Sequence, residues 1–162
     1  MYKVQDKVMY GTNGVCTISE ITTKKIGREK IEYYVLKPSG SNSSTLFVPT
    51  HSEALVGKMR FIMTKDEVES LIGNIPKDKP EWVSNKNLRF DLFKSIIASG
   101  DCTEILKLIR TIHFHEDEQL SKGKRLHISD ERFLKEAEKM ILEEFSMVLE
   151  ESTQDVLARI LS

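Results

Sequence analysis

Two cysteines, four prolines and a single tryptophan are all that this 162-residue chain holds of those types. Cys16 and Cys102 are too distant from one another to form a metal or redox motif, and two thiols cannot make a disulfide framework, so free thiols in a reducing compartment are expected. No apolar run approaches the roughly 18 residues needed to cross a bilayer. The first residues, MYKVQDKV, are charged from the third position and lack the apolar core of a secretory signal. A soluble, cytoplasmic protein with no membrane partner is the expectation. Charge of neither sign dominates, with 24 Lys and Arg against 25 Asp and Glu, which excludes a polyanion binder that works by bulk charge. Also missing are G-x-S-x-G, the phosphate-cradling G-x-x-x-x-G-K-[ST] and G-x-G-x-x-G. These absences argue against an enzyme and against any cofactor.

What is present is unevenly spread. Residues 1–62 carry 9 Lys and Arg against 5 Asp and Glu, residues 63–95 carry 6 against 6, and residues 96–162 carry 9 against 14. The acidic surplus includes the pairs Glu143-Glu144 and Glu150-Glu151. Neighbours on a helix do not converge on a substrate, so a solvated acidic face is expected, one that would repel DNA from that side. His113 and His115 stand two apart in a helical stretch, which points them in different directions, whereas two metal ligands on one face need a spacing of three or four. They read as structural or surface residues. His51 and His127 are isolated in loops, and no metal site is expected.

The first sixty residues break into short strands at 7–10, 15–22, 30–37 and 45–49, rich in Val, Ile, Thr and Tyr. Turn chemistry separates them at Thr12-Asn13-Gly14, Ile26-Gly27-Arg28 and Ser39-Gly40-Ser41-Asn42. In the second strand the alternation is imperfect, as expected where both faces are partly covered. The spacing predicts a small, strongly bent sheet or SH3-like barrel. From residue 64 the period becomes helical. Thr64 and Glu67 have capping-box spacing ahead of Val68, Leu71 and Ile72, with Gly73 as the stop. The stretch 74–80, NIPKDKP, reads as a stiff, solvated connector. Beyond it, Ser84 is expected to cap a helix with Leu88, Leu92, Phe93, Ile96 and Ile97 inward and Gly100 at its end. Asp101 opens a helix with Ile105, Leu108, Ile109 and Ile112 inward. Ser129 opens the longest one, with Phe133, Ala137, Met140, Ile141, Phe145 and Val148 at core spacing, and Ser152 a last short one carrying Val156, Ile160 and Leu161. The fold class is therefore α+β, with a small β domain at 1–62 and a compact helical bundle at 63–162.

Trp82 follows the connector and precedes a helix on which Lys86, Arg89 and Lys94 are read as lying on or near the outward face. A second basic cluster, Lys122, Lys124 and Arg125, lies in a later loop. A lone Trp at a boundary is commonly a packing residue. An apolar wedge flanked by cations is also how many proteins engage a minor groove or a frayed duplex end.

The order of these features, VQDKVMYGTNGVCTISEI, then YYVLKP, then TLFVPT, a connector, a Trp and a helix ending in SGD, resembles the CarD/CdnL family of bacterial transcription regulators over essentially the whole chain. The N-terminal part is also similar to the polymerase-interacting module of the transcription-repair coupling factor. The resemblance implies a Tudor-like barrel that docks on the β subunit of RNA polymerase, and a helical domain that places a Trp and basic residues against promoter DNA, in the minor groove at the upstream edge of the melted bubble. The docking positions fall here on Lys24, Lys25, Ile26 and Phe47. The DNA-facing set comprises Trp82, Lys86, Arg89, Lys94, Lys122, Lys124 and Arg125. A non-enzymatic monomer associated with the nucleoid through polymerase is implied.

Two departures stand out. An arginine is common where this chain has Phe47, so the docking contact is expected to be less ionic. Some members place Trp about three residues before the basic residue matching Arg89, whereas Trp82 lies seven before it, a shift of about one helical turn, roughly 6 Å. The alternative is an adaptor that binds protein through the β module, with Trp82 buried and no direct DNA contact.

Overall fold

The computed structural model describes residues 1–39 and 44–162, and the chain divides into two compact units, Met1–Met63 and Thr64–Ser162. The turn expected at Ser39-Gly40-Ser41-Asn42 falls largely outside the described residues.

The first unit is an antiparallel sheet of β1 (Lys7–Tyr10), β2 (Val15–Ile26), β3 (Glu29–Pro38), β4 (Leu46–Pro49) and β5 (Met59–Phe61), with a one-turn helix α1 (Glu53–Val56) between the last two strands. β5 and α1 were not foreseen from the sequence; three and four residues are too short to show a period. The strand order is β4-β3-β2-β1-β5, and the sheet is open: of the two expected forms, the sheet is found and the closed barrel is not. β4 and β5 stand at its two edges, and α1 sends Leu55 and Val56 onto the core formed by Val8, Cys16, Ile18, Tyr34, Leu36, Val48 and Met59. The β2–β3 hairpin is longer than its apolar residues suggest. Ile26 pairs with Glu29 around a two-residue turn in which Gly27 takes φ 64°, a left-handed conformation that costs a glycine nothing.

The imperfect alternation of β2 has a specific cause. Ile18 pairs with Leu36 and Glu20 with Val35, so Ser19 is an extra residue, a bulge. Its hydroxyl donates to the Val35 carbonyl at 3.3 Å. One extra residue inverts the side-chain phase beyond it. Ile18 and Ile21 thereby point to the same face despite their spacing of three, and Thr22, Lys24 and Ile26 fall on the opposite, outer face with Tyr33.

The second unit holds α2 (Lys65–Gly73), α3 (Lys86–Ser99), α4 (Cys102–Ser121), α5 (Ile128–Leu149) and α6 (Thr153–Leu161), with α5 in contact with each of the others. Several caps follow local chemistry. Thr64 Oγ1 accepts from the Glu67 amide at 3.2 Å, Asp101 accepts from Thr103 and Glu104, Ser152 accepts from Asp155 at 3.0 Å, and Gly100 closes α3 at φ 67°. Two caps move by one or two residues. Asn85, not Ser84, caps α3, its Oδ1 accepting from Asn87 and Leu88 at 3.1 Å each. His127, not Ser129, caps α5, with Nδ1 accepting from the Ser129 amide at 3.3 Å.

The stretch 74–80 lies within this unit and is tied down rather than solvated throughout. Ile75 is buried, Lys77 donates to the Ser162 carbonyl at 3.2 Å, and Lys79 pairs with Glu118 at 2.5 Å. Arg159 joins α2 to α6 through Glu69 and also holds Glu151 at 2.8 Å. The acidic face expected at the C-terminal end is therefore only partial. Glu144 is 0 % exposed on the core side of α5, because its helical phase is that of Ala137 and Ile141, and Glu151 is half-buried against Arg159. Among the described residues no helix is long and apolar enough to cross a membrane.

Candidate nucleic-acid and protein interfaces

Trp82 lies in the irregular stretch leading into α3, half-buried, and its ring neighbours come from two helices, α3 and α4. The His115 ring of α4 stacks on the indole with centroids 3.7 Å apart and planes 4° from parallel. Phe93 of α3 meets it edge to face at 5.8 Å. The guanidinium carbon of Arg89 lies over the indole at 4.7 Å from the ring centroid, an arrangement favoured by the negative face of the ring.

Arg89 is the main correction to the sequence reading. It does not face outward. It is 7 % exposed, and its Nε and Nη2 donate to the two carboxylate oxygens of Asp130, on the first turn of α5, at 2.9 and 3.0 Å. Nη1 donates to the carbonyls of Val83 at 3.0 Å and Ser84 at 3.4 Å. A buried guanidinium needs this complete set of acceptors, since an unpaired charge in the interior costs several kcal/mol, of order 3–5 by removal of one partner. One side chain thus fixes α3 to α5 and holds the backbone immediately after Trp82. The inward turn of Arg89 sets the phase of α3. Phe93, one turn on, is buried with it, while Leu88 is 63 % exposed and Leu92 is also exposed, although both were expected inside.

Lys86 and Lys94 are exposed, eight residues and so about 12 Å apart along the helix. Lys122, Lys124 and Arg125 are exposed in the α4–α5 connection. Lys122 is near enough to His115 to act on its titration. The structure therefore gathers Trp82, Arg89, His115 and Lys122 in one neighbourhood, with Lys79 held at its border by Glu118, whose carboxyl it keeps below the usual range.

The two neighbouring histidines do point apart. His113 Nε2 meets Glu138 of α5 at 2.6 Å, and this hydrogen bond raises its pKa against the opposing effect of burial. His115 is shifted the other way: burial lowers its pKa first, and Arg89 and Lys122 lower it further, against Asp130 and Glu118. The shift favours the uncharged form of the ring stacked on Trp82. No group of three metal-ligating side chains occurs among the described residues. His115 and Asp130 are the site residues that sequence reasoning missed. Each is remote in the chain from Trp82, and nothing local marks either as its partner.

The other surface lies on the outer face of the sheet. Lys24 Nζ sits 3.8 Å from the centroid of the Phe47 ring, and Tyr33 meets the same ring edge to face at 6.0 Å. Phe47 is 44 % exposed, and Ile26 is also exposed. Strand parity puts Ile26 on the Lys24 side and Lys25 on the other, so three of the four expected residues, Lys24, Ile26 and Phe47, share a face and Lys25 does not. The patch joins two aromatic rings to an aliphatic side chain and one lysine, and aromatic side chains are enriched at the core of protein–protein contacts.

Comparison with known proteins covers both units. A family model described as the CarD-like/TRCF RID domain matches residues 2–62, and one described as the CarD C-terminal domain matches residues 70–161. A Bacillus subtilis (strain 168) protein named "Putative transcription factor YdeB" is 22 % identical over 148 residues, covering 91 % of this chain and 92 % of the relative.

Proposed function

The chain belongs to the CarD family, and from that premise we propose that it is a transcription regulator: its Tudor-like sheet unit docks on the β subunit of RNA polymerase, and its helical unit contacts promoter DNA at the upstream edge of the melted bubble. The observation that carries the first half is the exposed Lys24–Tyr33–Phe47 patch within the segment matching an RNA polymerase-interacting domain. Phe47 supplies a flat apolar anchor and Lys24, held over it, presents the charge. An acidic group beside an apolar surface on the polymerase is the complementary partner.

For the second half, Trp82 is the wedge, and Lys86, Lys94, Lys122, Lys124 and Arg125 are the cations that hold phosphates around it. Arg89 serves the site through Trp82 and the backbone at Val83 and Ser84, as a positioning residue with its charge already spent on Asp130. Promoter opening is a near-balanced equilibrium, so a side chain that fits only the distorted junction stabilises the open state by its differential affinity. An aromatic contact with an unstacked base contributes about 1–3 kcal/mol, roughly tenfold to a hundredfold in the open-to-closed ratio. His115 stacks on the indole and Arg89 lies over it as well, so the contact falls to the part of the half-buried ring that solvent reaches. Docking through the sheet unit raises the effective DNA concentration for a nearly neutral protein.

Open-complex decay measured with polymerase holoenzyme tests this reading. Trp82→Ala should shorten the lifetime about tenfold while polymerase binding is retained. The packing of Trp82 on His115 and Phe93 favours a second reading, the protein-binding adaptor without DNA contact. Under it, Trp82→Ala leaves the decay unchanged.

A further inference from the structure

We propose that His115 is a positioning residue whose imidazole acts as a shelf for Trp82, setting the tilt of the indole before DNA arrives. This rests on the DNA-facing reading of Trp82. The tryptophan sits on an irregular segment with no ladder of backbone hydrogen bonds to orient it, whereas His115 stands in the interior of α4, a 20-residue helix. The contact between them is face to face over the whole ring, at 3.7 Å and 4°. Nδ1 is buried with no hydrogen-bond partner among the described residues, so that nitrogen does not anchor the ring. What the position uses is the flat face of the ring. A side chain already immobilised loses less entropy on binding than one ordered by the ligand, so a fixed indole makes a stronger wedge than a mobile one.

The charged groups around the ring explain when the shelf holds. Asp130 of α5 and Glu118 of α4 favour the imidazolium; Arg89 of α3 and Lys122, just past α4, oppose it. Burial decides in favour of the neutral ring. Protonation places a further cation beside the Arg89 guanidinium and Lys122, which oppose it.

Because Trp82 is the sole tryptophan, its fluorescence reports this contact without DNA. In the full-length protein the emission should titrate with an apparent pKa below the ordinary histidine value of about 6.5, as the imidazolium quenches the indole it touches. That titration should vanish in His115→Phe and His115→Gln. Quencher access to Trp82 should rise in His115→Gln and stay at the wild-type level in His115→Phe. With polymerase and promoter, His115→Gln should shorten open-complex lifetime toward the roughly tenfold loss of Trp82→Ala, and His115→Phe, which keeps a flat ring, should restore it. If Trp82→Ala shortens the lifetime but His115→Gln does not, the shelf is overturned and the DNA reading stands. If Trp82→Ala has no effect, the DNA reading fails, and with it the role of the shelf in transcription, whatever the fluorescence shows. Unchanged quencher access in His115→Gln overturns the shelf itself in either case.

Discussion

The patch on the sheet and the site around Trp82 are held in opposite ways. Lys24, Tyr33 and Phe47 meet across three adjacent strands, and the core of their unit lies on the other face. Val35, buried beside them as the cross-strand partner of Phe47, adjoins these side chains, but none of the three is itself part of a buried ion pair. Trp82 is fixed by His115, Phe93 and Arg89, and Arg89 is in turn bound to Asp130 inside the bundle. A surface made by strand alternation can change its side chains with the fold intact. A surface made by a buried ion pair cannot, so folding and presentation of the tryptophan are coupled.

The largest expected effect follows from that coupling. Arg89→Ala leaves Asp130 buried without its partner and should destabilise the helical unit by about 3–5 kcal/mol, read from urea denaturation. Replacing both residues, Arg89→Met with Asp130→Leu, should be much less costly than either single change, since no lone charge remains. A single-variant loss below about 1 kcal/mol would break the contrast.

Next in size is a binding effect without a folding effect. Phe47→Ala should weaken binding to core polymerase by about 2 kcal/mol, roughly thirtyfold, while changing unfolding free energy by no more than about 0.5 kcal/mol. A large drop in stability would mean that the sheet patch, too, is structural.

The smallest effect sharpens the comparison inside the bundle, through pH. The folded pKa of His113 is raised by Glu138, so its stabilising contribution is complete below the unfolded value of about 6.5 and is lost as pH rises through the folded value. His115 behaves inversely: its folded pKa is lowered by burial, so its contribution is present above about 6.5 and is lost as pH falls through the folded value. His113→Gln should flatten the alkaline limb of the stability profile, and His115→Phe the acidic limb, in urea titrations across that range.

Much of the fold was legible in the chain. The reciprocal spacing of Thr64 and Glu67, the Asp101 cap, the Gly100 stop and the periodicity of α4 are local facts, and local facts survive folding because they concern residues a turn apart. The β2–β3 hairpin was legible at Gly27 for the same reason. Reading failed where one residue alters a phase. At Ser19 a bulge inverted the faces beyond it, and at Arg89 a cation entered the core and turned Leu88 and Leu92 outward. A rule that places charge outside and leucine inside has no means to foresee a partner such as Asp130. Phe47 and Lys24 were found singly, and only the sheet register showed them touching.

By itself, then, the sequence determined the elements, their caps and the uneven spread of charge between sheet and helices, because each follows from neighbours along the chain. Only tertiary structure decided which side of α3 is buried, which of the basic residues remain exposed, and that Trp82 rests on His115. Those outcomes depend on groups that become neighbours when α3, α4 and α5 pack together, and a buried charge takes its inward position only when its counter-charge is already there to receive it.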